Sequence, residues 1–560
     1  MRDHFSQFTR RFMLLLAPSL ALGAGPPSAE GRAAVATDQP DASECGVAVL
    51  DDGGNAVDAA VAAALCAGVV QPASSGLGGG GFAVVVPPSG APWVLDFREV
   101  APAAATRDMF AAEGLDPRAS QDGGLAVAVP SESLGLATLH ARWGRLPAAS
   151  VAAPAIALAR DGYVVSPHLA SRIAATKSTD VARSYAQDTS RGPLPTYAGS
   201  SLRRPAHART LAAWARTGGR DLMTGRGAAA IVRDVQQAGG VLTLDDLAAY
   251  KPVERAPIRV TWGEWTFLTM PPPSSGGVAL AEVLQALDAD ALRADGLNSS
   301  AYIHRVVEAM KHAYADRAHH LGDPAFVDVP VERLIRAERA AEIRAAFDPA
   351  RTLPTAAYGS LIAPLEDAGT QHISVVDPSG MAVSLTTTIN TSFGSGIVVD
   401  DLGIVLNNQM DDFAAKPGVP NAYGLIGDEA NAIAPGKRPL SSMSPTVVLD
   451  ADGRVILSIG ASGGSQIISG TLEVLLAILV FDLSPATATA LPRFHHQWQP
   501  DELVVEPEIP ADVITALRAR GHTVVVRTMG SSVQAVRFDG EVASAGSDPR
   551  KGGAPAIQPR

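Results

Sequence analysis

The sequence predicts an α+β layered sandwich, with helices dominating the first part of the chain and strands the second. Three observations carry this. Ala/Val-rich stretches with helical spacing prevail before residue 370, and short β-branched runs separated by turn residues prevail after it. In addition, 560 residues that are 47% hydrophobic suffice for a large buried core, which excludes a disordered or fibrous chain.

Taken in order, Arg10 and Arg11 precede an apolar run over residues 12–22, followed by the small residues Gly23, Ala24 and Gly25. This is signal-peptide architecture, so residues 1–24 are expected to be removed and the mature protein exported, to a periplasm or outside the cell. The paired arginines also fit a twin-arginine signal loosely, with ordinary secretion the commoner reading. No later segment offers the roughly 20 uninterrupted apolar residues of a membrane helix, so no stable membrane anchor is expected. Only Cys45 and Cys66 are present; they are either a disulfide or two buried thiols, the latter being the safer expectation.

Residues 42–50 and 55–70 read as helices separated by the turn Asp51-Asp52-Gly53-Gly54. A glycine run over residues 76–81 opens a strand at 82–86, and a second strand at 93–97 ends at Arg98. From about 148 to 321 helical patterns alternate with loops, including a helix over 300–320. Residues 351–369, rich in small residues and prolines, read as an exposed linker. Strands at 371–376 and 381–389 flank Asp377-Pro378-Ser379-Gly380, a hairpin signal. Further strands at 403–406, 446–449 and 455–459 precede a glycine loop and a helix over 466–480.

The formal charge of −12 comes from scattered acids, and no basic stripe with interleaved aromatics appears, so nucleic acid is not the expected partner. The glycine run follows a helix and opens a strand, the reverse of a phosphate-binding loop, and is read as tight backbone packing. Gly460-Ala461-Ser462-Gly463-Gly464 matches a G-x-S-x-G elbow between a strand and a helix, so Ser462 is a rival nucleophile, with Asp482 or Asp501 and His495 or His496 available downstream. The repeated βα units of that fold are missing ahead of it. Histidines 304, 312, 319 and 320 lack metal-ligand spacing and are read as solvated helix-face residues.

Thr370 stands between a flexible glycine and a buried-looking strand. Alone that means little, but a hairpin centred on Pro378-Ser379 brings Thr387 or Thr388 opposite Thr370. The polar cluster Asn407-Asn408-Gln409-Met410-Asp411-Asp412 follows close behind.

With these residues the chain resembles the γ-glutamyltranspeptidase family. The resemblance covers most of the mature chain, through residues 53–60, 76–81, 95–102, 370–377, 386–396, 407–423, 437–445, 463–464 and 492–498. It is weaker between about 176 and 225. It implies an N-terminal-nucleophile hydrolase αββα sandwich cut between Gly369 and Thr370 into a large subunit, 25–369, and a small catalytic subunit, 370–560, that stay associated as one intertwined domain. Thr370 would then be nucleophile and, through its freed α-amine of pKa about 8, its own general base. Thr388 would orient it, and the N–H groups of Gly463 and Gly464 would hold the oxyanion. The family often has proline where this chain has Ser462.

A γ-glutamyl group carries an α-carboxylate and an α-ammonium. The resemblance gives the first to Arg98, Ser441 and Ser442 and the second to Asn390, Gln409 and Asp412. Residues 417–439, with Tyr423, resemble the family's lid loop. The implied donors are glutathione and other γ-glutamyl compounds, the acceptors water or amino acid and peptide amines. No metal or cofactor is called for. A related acylase acting on a glutaryl-type group remains the alternative activity, and an uncut binding protein the alternative class.

Overall fold

The computed structural model describes residues 29–187, 194–359, 369–414 and 429–560. The signal segment and Tyr423 lie outside the described residues. Two seven-stranded antiparallel sheets stack face to face. One runs, in spatial order, Ala556–Gln558, Ala33–Thr37, Gln371–Val376, Ala382–Thr388, Gly80–Val86, Trp93–Phe97 and Val253–Arg255; the other runs Ala29–Gly31, Ala543–Ser547, Ser532–Phe538, Val455–Ser462, Thr446–Leu449, Trp265–Thr269 and Ile258–Trp262.

Strand alternation builds the layers. Val35, Ala83, Val85, Ile373, Val375, Val383 and Leu385 pack toward the helices Pro40–Asp51 and Ala56–Val70, whereas Ala34, Ala36, Phe82 and Val84 pack in the core shared with the second sheet. That sheet is covered in turn by Gly276–Ala286, Ser300–His320 and Gln466–Leu479. Polar residues of the central strands bond both within and between the sheets: His372 Nδ1 meets Thr386 Oγ1 at 2.8 Å on the neighbouring strand, and the Ser384 hydroxyl donates across to Ile459 O of the second sheet at 2.9 Å. Burial holds the His372 ring neutral, its pKa lowered to about 3.

The Asn-Ala-Val-Asp motif explains how the first helical layer is fixed to the central hairpin. Asn55 caps Ala56–Val70 by accepting from Val57 N and Asp58 N, with Asp58 completing a capping box. The Asp377 carboxylate in the hairpin turn accepts from Ala56 N at 2.9 Å. Alanines and Gly68 let this fully buried helix approach closely; a Cβ on Gly68 would lie 2.9 Å from Gly76 Cα.

Several sequence expectations are corrected. Cys45 and Cys66 form a disulfide tying the first two helices together. The region expected to be helical between 148 and 321 also contributes Ile258–Trp262 and Trp265–Thr269, an edge hairpin of the second sheet. His304 and His312 are buried, not solvated, because Ser300–His320 is covered on several sides. The start of the expected linker is anchored: Tyr358 is buried, donating to Glu308, and Trp498 Nε1 donates to Thr355 O at 3.1 Å. Among the described residues no helix is long and apolar enough to cross a membrane.

Burial pushes the Glu473 carboxyl up to about 8, although it accepts from Phe494 N at 3.0 Å. Between the ordinary carboxylate range and pH 8 the folded chain therefore keeps a proton that the unfolded chain has lost, so folding stability falls as pH rises through that window. One such group contributes a slope of up to about 1.4 kcal/mol per pH unit. Glu473→Gln is expected to flatten the decline of the thermal midpoint between pH 6 and 8.5; a decline as steep as the wild type's contradicts this assignment.

Candidate active site

The site begins with the register of one hairpin. Gln371 pairs with Thr387 and Val376 with Ala382, which sets Thr370 level with Thr388. The Thr370 and Thr388 hydroxyl oxygens are 3.2 Å apart, and both donate to the Gly369 carbonyl, at 2.6 and 2.9 Å. Asn390 N in turn donates to Thr388 Oγ1 at 2.8 Å, fixing that hydroxyl as a relay between backbone and carbonyl. Thr370 is 3% exposed, so its hydroxyl meets only what enters the recess beside it.

Gly369 fits because the Asn390 and Thr391 backbone presses against it. A Cβ there would lie 2.6 Å from Thr391 C and 2.7 Å from Asn390 O, closer than real Cβ contacts come. Gly369→Ala is therefore expected to displace the Gly369 carbonyl and slow any cleavage at this bond by about tenfold or more, read as persistence of the uncut chain on a denaturing gel. Wild-type cleavage in that variant contradicts the geometry.

Thr370, Thr388 and Gly464 line a recess of about 300 Å³ together with Arg98, Asn390, Gln409, Asp412, Ser441 and Ser442. Arg98 leaves the end of Trp93–Phe97 and is 1% exposed. It donates to Asp412 Oδ2 and to the carbonyls of Pro439 and Leu440, each at 3.2 Å. Gln409 Nε2 also donates to Asp412 Oδ2, at 2.9 Å. Burial raises the Asp412 carboxyl, and Arg98 is the main opposing influence. Among the described residues, Ser442 Oγ and Gln409 Oε1 are buried without a hydrogen-bond partner while lining the recess, as groups that a ligand could satisfy would be.

Gly463 and Gly464 turn the strand Val455–Ser462 into the helix Gln466–Leu479, with φ of 128° and 57°. Only glycine adopts the first of these readily, and a Cβ on Gly463 would strike Ser531 Cα at 2.5 Å. The rival elbow is not assembled. Ser462 is fully buried, and its hydroxyl donates to Asp38 at 2.8 Å. His495 meets Ser469, His496 meets Asp501 at 3.3 Å, and Asp482 pairs with Arg537.

Among the described residues one cluster has metal-ligand spacing, His304, Glu308 and His522. It is occupied by its own hydrogen bonds: His304 Nδ1 lies 2.8 Å from His522 Nε2, and Lys311 Nζ donates to Glu308 at 3.3 Å. It is not among the recess-lining residues.

Sequence reasoning missed two charged groups. Arg317, on the helix Ser300–His320, lines the recess and donates from Nε to Ser275 Oγ at 3.0 Å. Glu99 sits fully buried 3.7 Å from Arg98, its carboxyl pushed up to about 8 by burial. Arg317 belongs to no local pattern, since only the fold brings helix 300–320 against the loop at 441, whereas Glu99 adjoins Arg98 in the segment 95–102 and only its burial escapes the sequence.

A hydroxyl residue heading a central strand of an αββα sandwich, its own preceding carbonyl within hydrogen-bond reach, defines the class of N-terminal-nucleophile hydrolases. The chain belongs to the gamma-glutamyltranspeptidase family, which it matches over residues 42–558. It is 41% identical over 517 residues to the glutathione hydrolase proenzyme of Escherichia coli (strain K12), covering 91% of this chain and 89% of that one. The cephalosporin acylase structure from Bacillus halodurans superposes with a TM-score of 0.81 at 28% identity, covering 98% of this chain and 100% of that one. The gamma-glutamyltranspeptidase structure from Helicobacter pylori aligns with a TM-score of 0.54 at 35% identity, over 56% of this chain and 92% of that one.

Proposed function

We propose that this chain is a self-cleaving γ-glutamyltransferase and glutathione hydrolase whose nucleophile is Thr370. One observation carries the reading: the Thr370 hydroxyl opens onto the same recess as the buried Arg98 and Asp412 pair. In the first reaction Thr370 Oγ1 attacks the Gly369 carbonyl carbon, its proton passes to the departing Thr370 nitrogen, and an ester forms. Thr388 donates to the developing oxyanion. Water then hydrolyses the ester, leaving a Gly369 carboxylate and a free Thr370 α-amine.

In the second reaction that amine accepts the Thr370 hydroxyl proton, Oγ1 attacks the γ-carbonyl of the donor, and the leaving amine departs protonated. Gly463 and Gly464 N–H groups serve the oxyanion. Water or an acceptor amine resolves the γ-glutamyl ester. The donor enters by exchanging partners: its α-carboxylate takes the Arg98 guanidinium with the Ser441 and Ser442 hydroxyls, and its α-ammonium takes Asp412, Gln409 and Asn390.

The subunits 25–369 and 370–560 remain together in this reading. Its support is the interleaving of both sheets, where strands from before and after the cut are neighbours. Export through residues 1–24 is supported by the Cys45 to Cys66 disulfide, which suits an oxidising compartment. The segment 417–439 is assigned as the lid.

The test compares a γ-glutamyl anilide with the glutaryl anilide that lacks the α-ammonium, scoring burst release of aniline and the acylated peptide. The reading predicts acylation of Thr370 by the γ-glutamyl donor and a far weaker glutaryl burst. Equal bursts would instead favour an acylase that ignores the ammonium.

A further inference from the structure

The carbonyl of Thr370 itself is held by a charge that neither reaction above employs. The strand Ala33–Thr37 pairs alongside Gln371–Val376 only as far as Thr37 opposite Ile373, so the edge beyond it is open at Thr370. Lys551 fills that place. It comes from a short turn, Pro549–Lys551, near the end of the chain, and is 4% exposed. Its Nζ donates to Thr370 O at 3.1 Å and to Ser462 Oγ at 2.7 Å. Asp38 Oδ2 lies 3.7 Å away, and Asp38 itself accepts from the Ser462 and Ser532 hydroxyls and from Gln534 Nε2. One buried ammonium thus ties the nucleophile's carbonyl to the residue that precedes Gly463 and Gly464.

We propose that Lys551 is a positioning residue for Thr370 in both reactions, and that its charge keeps the α-amine of the processed Thr370 in the free-base form. The proposal rests on the reading of Thr370 as the processed nucleophile. Covalent geometry keeps the Thr370 nitrogen within about 3.6 Å of its own carbonyl oxygen, so the ammonium stands within about 7 Å of the amine that must accept a proton. A like charge at that range disfavours protonation, and Asp38 offsets only part of it, because the ammonium is the member of the pair that touches Thr370.

The other charged neighbours are accounted for. Asp548 and Arg172 act on Lys551 with opposite signs, and His168 is held neutral, mainly by burial, its pKa lowered to about 3. On the recess side stand Arg98, Arg317 and Asp412. An amine of ordinary pKa, about 8, would be largely protonated at neutral pH; a downward shift of about one unit makes most of it a base.

The experiment follows the full-length chain as Lys551→Met and Lys551→Arg. Two readouts are taken: the rate at which the small chain appears, and the acid limb of kcat/KM per processed subunit. Lys551→Met is expected to slow self-cleavage about tenfold or more and move the acid limb up by about one pH unit. Lys551→Arg should keep the limb within about 0.3 unit of wild type. Asp38→Asn, which retains the ammonium and removes its counter-charge, should move the limb down, and it remains readable if Lys551→Met stays uncut. A Lys551→Met enzyme whose limb coincides with wild type, whatever its loss of kcat, overturns the proposal, as does an Asp38→Asn limb that stays or rises. A wild-type chain that never yields an N-terminal Thr370 would instead sink the reading on which the proposal rests.

Discussion

Thr370→Ala is expected to leave a single uncut chain whose activity falls by at least about 10⁴-fold, to the level of the blank. Both reactions need the same oxygen, so removing it stops the one that exposes the amine and the one that uses it. The neighbouring Thr388 hydroxyl does not substitute, because it is committed to Gly369 O and to Asn390 N. Thr370→Ser keeps the oxygen but lacks the methyl group that fixes the rotamer, so it should be cut slowly and retain part of the activity. An uncut Thr370→Ala chain that still turns over the donor would remove Thr370 from the chemistry.

The second large effect is expected at Asp412. Arg98 is 1% exposed and its guanidinium bonds to Asp412, with Glu99 on its other side carrying a carboxyl pushed up to about 8. Asp412→Ala removes the partner of a buried charge, a change that costs about 3–5 kcal/mol in comparable settings. It also removes the acceptor proposed for the donor ammonium. The kcat/KM for a γ-glutamyl donor should fall by about 10²- to 10³-fold, mostly in KM, while turnover of a glutaryl donor changes far less. Equal losses on both donors would mean that the substitution damages the recess as a whole and that the ammonium is held elsewhere.

How much of this was legible in the sequence depends on whether the information is local. The hairpin at 371–388 carried its register in its turn residues, and the structure sets Thr370 level with Thr388, one of the two partners that turn allowed. The glycine run was legible as close packing: Cβ atoms on Gly78 and Gly79 would lie 2.0 Å from the Val405 and Thr388 carbonyl oxygens. The edge hairpin at 258–269 carries alternation and a Gly263-Glu264 turn, but the helical patterns on both sides of it mask that short signal. The buried His304 shows the converse error, since a polar residue on a helix says nothing of the layer that covers it. Arg317 and Lys551 were out of reach because each meets the site through distant chain crossings and no spacing marks them, whereas Glu99 stands next to Arg98 in the chain and only its burial is hidden from the sequence. The disulfide was undecided for the same reason, the two cysteines being 21 residues apart on helices whose mutual packing only the fold defines.

The measurement that tests the central claim most directly is N-terminal sequencing of the smaller band of the purified protein, combined with its intact mass. The account predicts an active preparation of two chains in which the smaller begins Thr-Gln-His-Ile-Ser at Thr370 and has the mass of residues 370–560. An active preparation that remains one uncut chain, or whose smaller chain begins at any other residue, would contradict it.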